Sequence, residues 1–114
     1  MKLPNIFENQ VPTKTFRAGE MIFVAGEPAD CMYVVKAGRV DIVKGQEIIE
    51  SVGAEGFFGE LALVDSGPRS AAARARTDCE LAPINDQQFQ FMVAATPFFS
   101  LVVMREMAAR LRRA

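Results

Sequence analysis

The 114-residue sequence contains no histidine, no tryptophan and a single tyrosine. Histidine is the commonest general base and the commonest metal ligand in proteins. Its absence excludes Ser-His-Asp and Cys-His catalytic sites, and histidine-based zinc or iron centres as well. Catalysis by carboxylates alone would remain open, but the nearest acidic pair, Glu47 and Glu50, is better explained as exposed charge on and beside a strand. We therefore expect neither enzymatic activity nor a bound metal.

The sequence also lacks an excess of charge of either sign and any long apolar run. Lysine and arginine number 13 and aspartate and glutamate 14, so no general attraction to nucleic acid or anionic membranes is expected. No apolar run approaches the roughly 20 residues of a membrane span, and the N-terminal MKLPNIFENQ lacks the apolar core of a signal peptide. These features predict a cytoplasmic chain with no nucleic-acid or membrane partner of its own.

Cysteine is scarce, and the two residues, Cys31 and Cys79, lie far apart in the sequence. A disulfide between them is possible. Two buried thiols in a reducing compartment are the favoured interpretation, because free cysteine packs as a small apolar residue in such proteins.

Glycine and proline interrupt the first two-thirds of the chain at short intervals, and half of all residues are apolar. Between these interruptions lie short segments rich in β-branched or aromatic residues, a pattern typical of strands. Many short strands separated by turn residues indicate a small β-barrel or sandwich. Gly45 in VKGQE is expected at the tip of a hairpin. The predicted strands are MIFV (21–24), CMYVV (31–35), VDIV (40–43), EIIESV (47–52), RSAAARA (69–75) and CELAPI (79–84).

After Ile84 the pattern changes to that of helices. Asn85 or Asp86 is a candidate N-cap for a first helix, and Pro97 ends it and suits the first turn of a second. The length of the chain predicts one domain over residues 1–114. We expect no helix-turn-helix DNA reader within this sequence after the last helix.

The second predicted helix carries an apolar stripe with spacings of three, four and three residues. The stripe either packs on the β-domain, or meets a second copy or closes over a ligand; its members are Leu101, Met104, Ala108 and Leu111. Four arginines near the helix end favour its dipole and are expected to form a solvated tail; they are Arg105, Arg110, Arg112 and Arg113.

The segment GFFGELALVDSGPRSA (56–71) carries an isolated acid and an isolated base. Glycine permits a sharp turn and close approach of a ligand, and ELALV predicts one short helical turn after Gly59. The first amides of a helix have no partner within it, which suits a phosphate. The carboxylate of Glu60 would suit a sugar hydroxyl. Alternatively, FGELAL is simply a turn in the core.

Arg69 stands at the entry of a predicted strand, where alternation places it on one face with Ala71, Ala73 and Ala75. Small side chains beside an arginine leave space for another group. If Arg69 points inward it needs a counter-anion, because an unpaired buried charge is costly. Glu60 could supply part of that charge, and a bound phosphate would do so better. The competing interpretation is an ordinary surface arginine.

FGELAL followed by PRSA resembles the phosphate-binding cassette of the cyclic nucleotide-binding domain family, of the catabolite activator and protein kinase A regulatory subunit type. FRAGEMIFVAGEPADCMYVVKAGRVDIV (16–43) is similar to the early strands of that family, and RTDCELAPI to its last strand. The resemblance implies a mainly β fold, an eight-stranded β-roll of jelly-roll type followed by a hinge helix and a C-terminal helix. The roll would span about residues 13–85 and the helices about 86–113.

The resemblance also assigns roles within the cassette. Glu60 would hold the ribose 2′-hydroxyl and Arg69 the cyclic phosphate. The remaining ligand-binding positions it implies are Gly59, Leu61, Ala62, Ser70 and Ala71. Serine after the arginine occurs in the cAMP-binding catabolite activator, so cAMP is the expected ligand and cGMP the alternative. No other cofactor is implied.

Two functions follow as hypotheses. The first is a cyclic nucleotide sensor in which the ligand shifts the C-terminal helices, with Leu101, Met104 and residues near Val43 as candidates for contact with the base. The second is an interaction module that binds no nucleotide and whose helices mediate homodimerisation or docking to an effector protein. A metal-dependent enzyme on a related jelly-roll fold is weaker, because it would need the missing histidines.

Overall fold

The structure is a computed structural model, and it describes residues 12–65 and 67–113. Eight strands lie in these residues, and one helical turn, α1 (Leu61–Val64), interrupts them. The strands are β1 (Lys14–Phe16), β2 (Met21–Phe23), β3 (Cys31–Ala37), β4 (Val40–Lys44), β5 (Glu47–Val52), β6 (Phe57–Phe58), β7 (Ala72–Ala75) and β8 (Cys79–Asn85).

The strands form two antiparallel four-stranded sheets, in the orders β1-β8-β3-β6 and β2-β7-β4-β5. Apart from the β4–β5 hairpin, neighbours in each sheet are not consecutive in sequence, so the chain crosses repeatedly between the sheets, as in a jelly roll. A cluster that includes Val35, Val40, Phe58 and Leu81 fills the space between them. The predicted eight-stranded β-roll is confirmed.

Local pattern located most strands within two residues of their ends. EIIESV matches β5, and Gly45 has a φ of +65° in the turn that pairs Lys44 with Glu47. The strand expected to start at Arg69 begins only at Ala72. The strands β1 and β6 were not predicted from pattern; they have three and two residues and are defined by pairing to β8 and β3.

Two helices follow the roll: α2 (Asp86–Ala95) and α3 (Phe98–Arg113). Asn85 caps α2 in a reciprocal arrangement with Gln88, which confirms one of the two candidate N-caps. Thr96 joins the helices: its amide donates to the carbonyl of Met92 in α2 at 2.8 Å, and its carbonyl accepts from the amide of Phe99 in α3 at 2.9 Å.

The helices pack on the outer face of the first sheet through a second apolar cluster that includes Met32, Met92 and Phe99. The α3 residues that enter this cluster are Phe99, Val102 and Val103. The predicted stripe lies on the opposite face: Leu101, Met104 and Leu111 are 41%, 53% and 77% exposed, and Ala108 is exposed as well. The interpretation that this stripe packs on the roll is therefore wrong.

Both cysteines are free thiols, Cys79 buried and Cys31 only half-buried, so the expectation of two buried thiols is corrected at Cys31. Among the described residues, no single helix is long and apolar enough to cross a membrane. The α2 and α3 pair has the length and composition when taken together, but the two helices are bent by 119°.

Candidate functional site

The site begins at Gly59, where the backbone turns out of β6 into α1 with a φ of +77°. A Cβ atom at this position would lie 2.6 Å from Nη1 of Arg69. Glycine is thus required here twice, for the left-handed backbone and for the approach of the guanidinium. The predicted helical turn after Gly59 is present as α1.

Arg69 points inward. Only 8% of the residue is exposed, and Ala71, Ala73 and Ala75 follow it on the same buried face, as strand alternation predicted. Its Nη1 donates to the carbonyl of Gly59 at 3.2 Å, and its Nη2 donates to the carbonyl of Cys31 at 2.7 Å. The interpretation of Arg69 as a surface residue is wrong.

No carboxylate pairs with Arg69 within residues 12–65 and 67–113, and its buried Nε has no hydrogen-bond partner there. The guanidinium instead lies over the ring of Phe23, with Cζ 4.1 Å from the ring centroid, and 5.9 Å from that of Tyr33. The two rings contact each other, and both contact Phe58. An aromatic ring compensates a buried cation only in part, so the charge of Arg69 lacks a full counter-charge among the described residues.

Glu60 is also buried, at 5% exposure, but its partner is Arg110 of α3 and not Arg69. The expectation that Glu60 supplies part of the counter-charge of Arg69 is therefore wrong. The physical reason is the last turn of α3, which lies against the cassette and brings a second arginine to the carboxylate. The ion pair with Arg110 holds the carboxylate of Glu60 inside the fold.

Arg110 is the residue that sequence reasoning placed wrongly. Its side chain is 19% exposed; Nε and Nη2 each lie 3.0 Å from a carboxylate oxygen of Glu50, and Nη2 donates to the carbonyl of Phe57 at 2.6 Å. Burial alone would lower the pKa of Arg110, but the carboxylates of Glu60 and Glu50 more than offset it and the pKa is raised. Glu106, one turn earlier on α3, adds a contact at 3.4 Å.

This contact corrects two expectations. Glu50 is not merely exposed charge beside a strand, since it pairs with Arg110, and Arg110 is not part of a solvated tail. A signal was present in the sequence: Arg110 lies seven residues after Val103 and eleven after Phe99, so it continues their face of α3. Arg105, Arg112 and Arg113 are exposed, as predicted.

The remaining cassette positions differ in exposure. Ala71 is buried and Ala62 half-buried, whereas Leu61 and Ser70 are exposed. The amide of Ala62 donates to the carbonyl of Gly59 at 3.3 Å. The expectation that this amide is a free donor is therefore wrong. Leu101 and Met104, the candidates for base contact on α3, lie on its solvent face. The described residues contain no cluster of three or more histidine, cysteine or acidic side chains suited to a metal.

Cys31 and Tyr33 lie on one face of β3, beside Arg69. The Sγ of Cys31 is 3.9 Å from Nη2 of Arg69. Burial raises the pKa of the Cys31 thiol, with a smaller opposing effect from its hydrogen bond to Tyr33. Burial likewise raises the pKa of Tyr33 to about 12, and its bond to Cys31 adds to the rise. Both groups are therefore neutral at physiological pH.

Arg69 and Glu60 are thus both buried, and both lie beside the turn at Gly59. The family model described as "Cyclic nucleotide-binding domain" matches residues 13–96. The chain belongs to the cyclic nucleotide-binding domain family. Members of this family are regulatory, and the two-sheet fold with C-terminal helices agrees with that membership.

Relatives and solved structures agree with the family. A CRP-like cAMP-activated global transcriptional regulator of Mycobacterium tuberculosis is 31% identical over 109 residues, 91% of this chain and 49% of the regulator. The catabolite activator protein of Thermus thermophilus superposes with a TM-score of 0.81 at 27% identity, covering 90% of this chain and 50% of that one. The chain thus spans about half the length of these relatives.

The EAL enzyme Bd1971 carries a similar domain. Its half-site-occupied form superposes with a TM-score of 0.71 at 33% identity, covering 91% of this chain and 97% of that one. The same protein has been solved in a cAMP-bound form and in a cGMP-bound form, with TM-scores of 0.67 and 0.68. In each bound form the cyclic nucleotide-binding domain described here covers 28% of the other chain.

Proposed function

We propose that this chain is a sensor domain that binds cAMP at Arg69 and Glu60. The observation that carries the proposal is Arg69: a guanidinium with 8% exposure, an unpartnered Nε and no carboxylate partner in the described residues. A phosphate with one negative charge meets this need, because a guanidinium binds phosphate through paired charge-assisted hydrogen bonds. The backbone amides that precede Ala62 at the start of α1 would complete the phosphate-binding site.

Glu60 would accept a hydrogen bond from the ribose 2′-hydroxyl in this proposal. A cyclic phosphate presents one phosphorus bridged to one ribose, so one buried arginine and one buried carboxylate match its two polar ends. Gly59 lets the guanidinium of Arg69 lie against the backbone, and the buried Ala71 would line the site. Ser70 is exposed and would take part through its hydroxyl or amide only at the entrance.

Support for cAMP over cGMP comes from relatives. The Mycobacterium tuberculosis regulator is described as cAMP-activated, whereas Bd1971 has forms with either nucleotide. We therefore place cAMP first and keep cGMP as the second ligand to test.

Isothermal titration with cAMP and cGMP tests the site. Loss of one partner of a buried charge pair costs about 2–5 kcal/mol, so Arg69→Ala is expected to weaken cAMP binding by roughly 30-fold to several thousand-fold. Arg112→Ala removes the same charge from the exposed end of α3 and is expected to bind like the parent chain.

An affinity for cAMP that is equal in Arg69→Ala and the parent would refute the site. Absence of heat with both nucleotides, from a chain that still shows its cooperative thermal transition, would instead favour the interaction module.

The read-out would pass through Arg110. Glu60 is both the proposed acceptor for the ribose hydroxyl and the partner of Arg110. A nucleotide that reorients Glu60 would therefore alter the ion pair that fixes the last turn of α3. A ligand shifts the position of a helix only if its affinity differs between the two helix positions. Because Glu60 would bind either the ribose or Arg110, it would provide that difference in affinity. The position of α3 would report occupancy.

The exposed stripe of α3 would join two copies of the chain. Leu101, Met104, Ala108 and Leu111 repeat at the spacing of the a and d positions of a coiled coil, and three of them are more than 40% exposed. A second copy offers the same stripe and would cover it through a two-fold contact. Sedimentation equilibrium would detect this dimer.

A further inference from the structure

The thiol of Cys31 lies at the anion site and not in the core. The backbone carbonyl of Cys31 accepts a hydrogen bond from Nη2 of Arg69 at 2.7 Å, and the Sγ of Cys31 is 3.9 Å from the same nitrogen. A Cβ built on Gly59 would lie 2.6 Å from Nη1 of Arg69 and 3.7 Å from the carbonyl of Cys31. Three segments distant in sequence therefore meet at one guanidinium, and one of them brings a half-buried thiol.

The guanidinium beside this thiol has unused capacity for an anion. Arg69 is more than nine-tenths buried, and its Nε has no partner in the described residues. A small molecule with a sulfur to exchange and a carboxylate to place on Arg69 would find both partners within one site. Within residues 12–65 and 67–113, no guanidinium lies beside Cys79, which is 5% exposed and belongs to the apolar cluster between the sheets.

We propose that Cys31 is a reversible modification site for small anionic disulfides, and that a group attached to its sulfur closes the site to other anions. In the exchange, the Cys31 thiolate attacks one sulfur of the disulfide and a new S–S bond forms. The old S–S bond breaks and its electron pair leaves with the released thiolate. The proton of Cys31 goes to water, and the leaving thiolate takes a proton from water. Excess free thiol reverses the step.

Charge at the site sets the specificity of the exchange. The retained half of the reagent would direct its carboxylate to Arg69, the cation that contacts Sγ, and would occupy the volume that the proposed function assigns to the phosphate. The occupation of the phosphate volume rests on the proposed function, whereas the preference for an anionic reagent does not. A cationic reagent of equal size would be repelled by the same guanidinium.

The exchange is slow at neutral pH and accelerates with alkalinity. Burial raises the pKa of the Cys31 thiol and Asp30 adds to the rise, while the hydrogen bond of Tyr33 and the charge of Arg69 oppose it. Only the thiolate attacks. The rate for Cys31 is therefore expected to keep rising with pH beyond the range in which a free cysteine has levelled off.

The test compares two disulfides of matched length, anionic dithiodipropionate and cationic cystamine, by mass spectrometry of the intact chain and of its peptides. Dithiodipropionate is expected to modify Cys31 about tenfold faster than cystamine, as one nearby unit charge allows. In Arg69→Gln the preference is expected to disappear. Cys79→Ala, which keeps only the Cys31 thiol, is expected to react like the parent, and Cys31→Ala is expected to remain unlabelled.

A second measurement ties the modification to the ligand. Saturating cAMP is expected to slow labelling of Cys31, and the labelled chain is expected to lose at least about tenfold in cAMP affinity and to regain it with dithiothreitol. Equal rates for the two disulfides in the parent chain, or labelling of Cys79 in preference to Cys31, would overturn the proposal. Absence of cAMP binding by the unlabelled chain would count against the sensor function alone, because the reagent preference is measured without nucleotide.

Discussion

At the scale of single residues, the proposed anion site depends on how closely a guanidinium can approach the main chain. Gly59 and Gly45 have similar positive φ angles, +77° and +65°, but only Gly59 lies against Arg69. Around Gly45 no heavy atom lies within 4 Å of a built Cβ. Substitutions at these two glycines therefore distinguish the effect of backbone strain from the effect of displacing Arg69.

Gly59→Ala and Gly45→Ala are each expected to cost about 1 kcal/mol of stability, because alanine is strained in the left-handed region. Only Gly59→Ala should also displace the guanidinium and lower cAMP affinity. Chemical denaturation measures the first effect and calorimetric titration the second. Equal affinities in the two variants would show that Arg69 can move aside without consequence.

The sequence indicated the inward direction of Arg69, because alternation along a strand is local and three alanines mark the buried face. It could not indicate the partner of Glu60. Fifty residues separate Glu60 from Arg110, and only the packing of α3 on the first sheet decides that they meet. The sequence-based interpretation paired the acid with the base of the same segment.

At the scale of secondary structure elements, α3 is held at two places. Phe99, Val102 and Val103 anchor its first turns in the apolar cluster, and Arg110 anchors its last turn on Glu60, Glu50 and the carbonyl of Phe57. Breaking a buried ion pair by removing one partner is costly, because the other charge stays buried.

Arg110→Gln is expected to destabilise the fold by about 2–4 kcal/mol, below the range for fully buried pairs because Glu50 is a quarter exposed. Amide hydrogen exchange is expected to increase in the last turns of α3 and to stay unchanged in α2. Arg105→Gln, on the exposed face of the same helix, is the matched control. Equal effects of the two substitutions would contradict the anchoring role.

Elements with local signals were predictable and those without were not. The Asn85–Gln88 cap and the Gly45 hairpin are encoded within four residues, so pattern located α2 and the β4–β5 turn. The two residues of β6 form a strand only because they pair with β3, and no local sequence pattern predicts this pairing. Family resemblance supplied the roll as a whole, whereas the helical turn between β6 and β7 was predicted from the residues ELALV.

At the scale of the whole molecule, the chain presents one helix face that nothing in the described residues covers. Dimerisation through this face predicts that Met104→Glu, near the middle of the stripe, converts dimer to monomer, because two charges would meet in an apolar contact. Val64→Glu is the control, since Val64 on α1 is 62% exposed but lies off the stripe. Sedimentation equilibrium of both variants measures the change; a parent chain that is monomeric at all concentrations would exclude the dimer.

Thr96 belongs to both helices at once: its nitrogen is bonded into α2 and its oxygen into α3. Two torsion angles of this one residue thus determine where the C-terminal helix points. Rotation about them would swing α3 through a wide arc while leaving the ladder of each helix intact, since Pro97 next to it has no amide to lose. Transmission of a signal from the roll would then require release of Arg110 at the far end of α3 together with the apolar contacts of Phe99, Val102 and Val103.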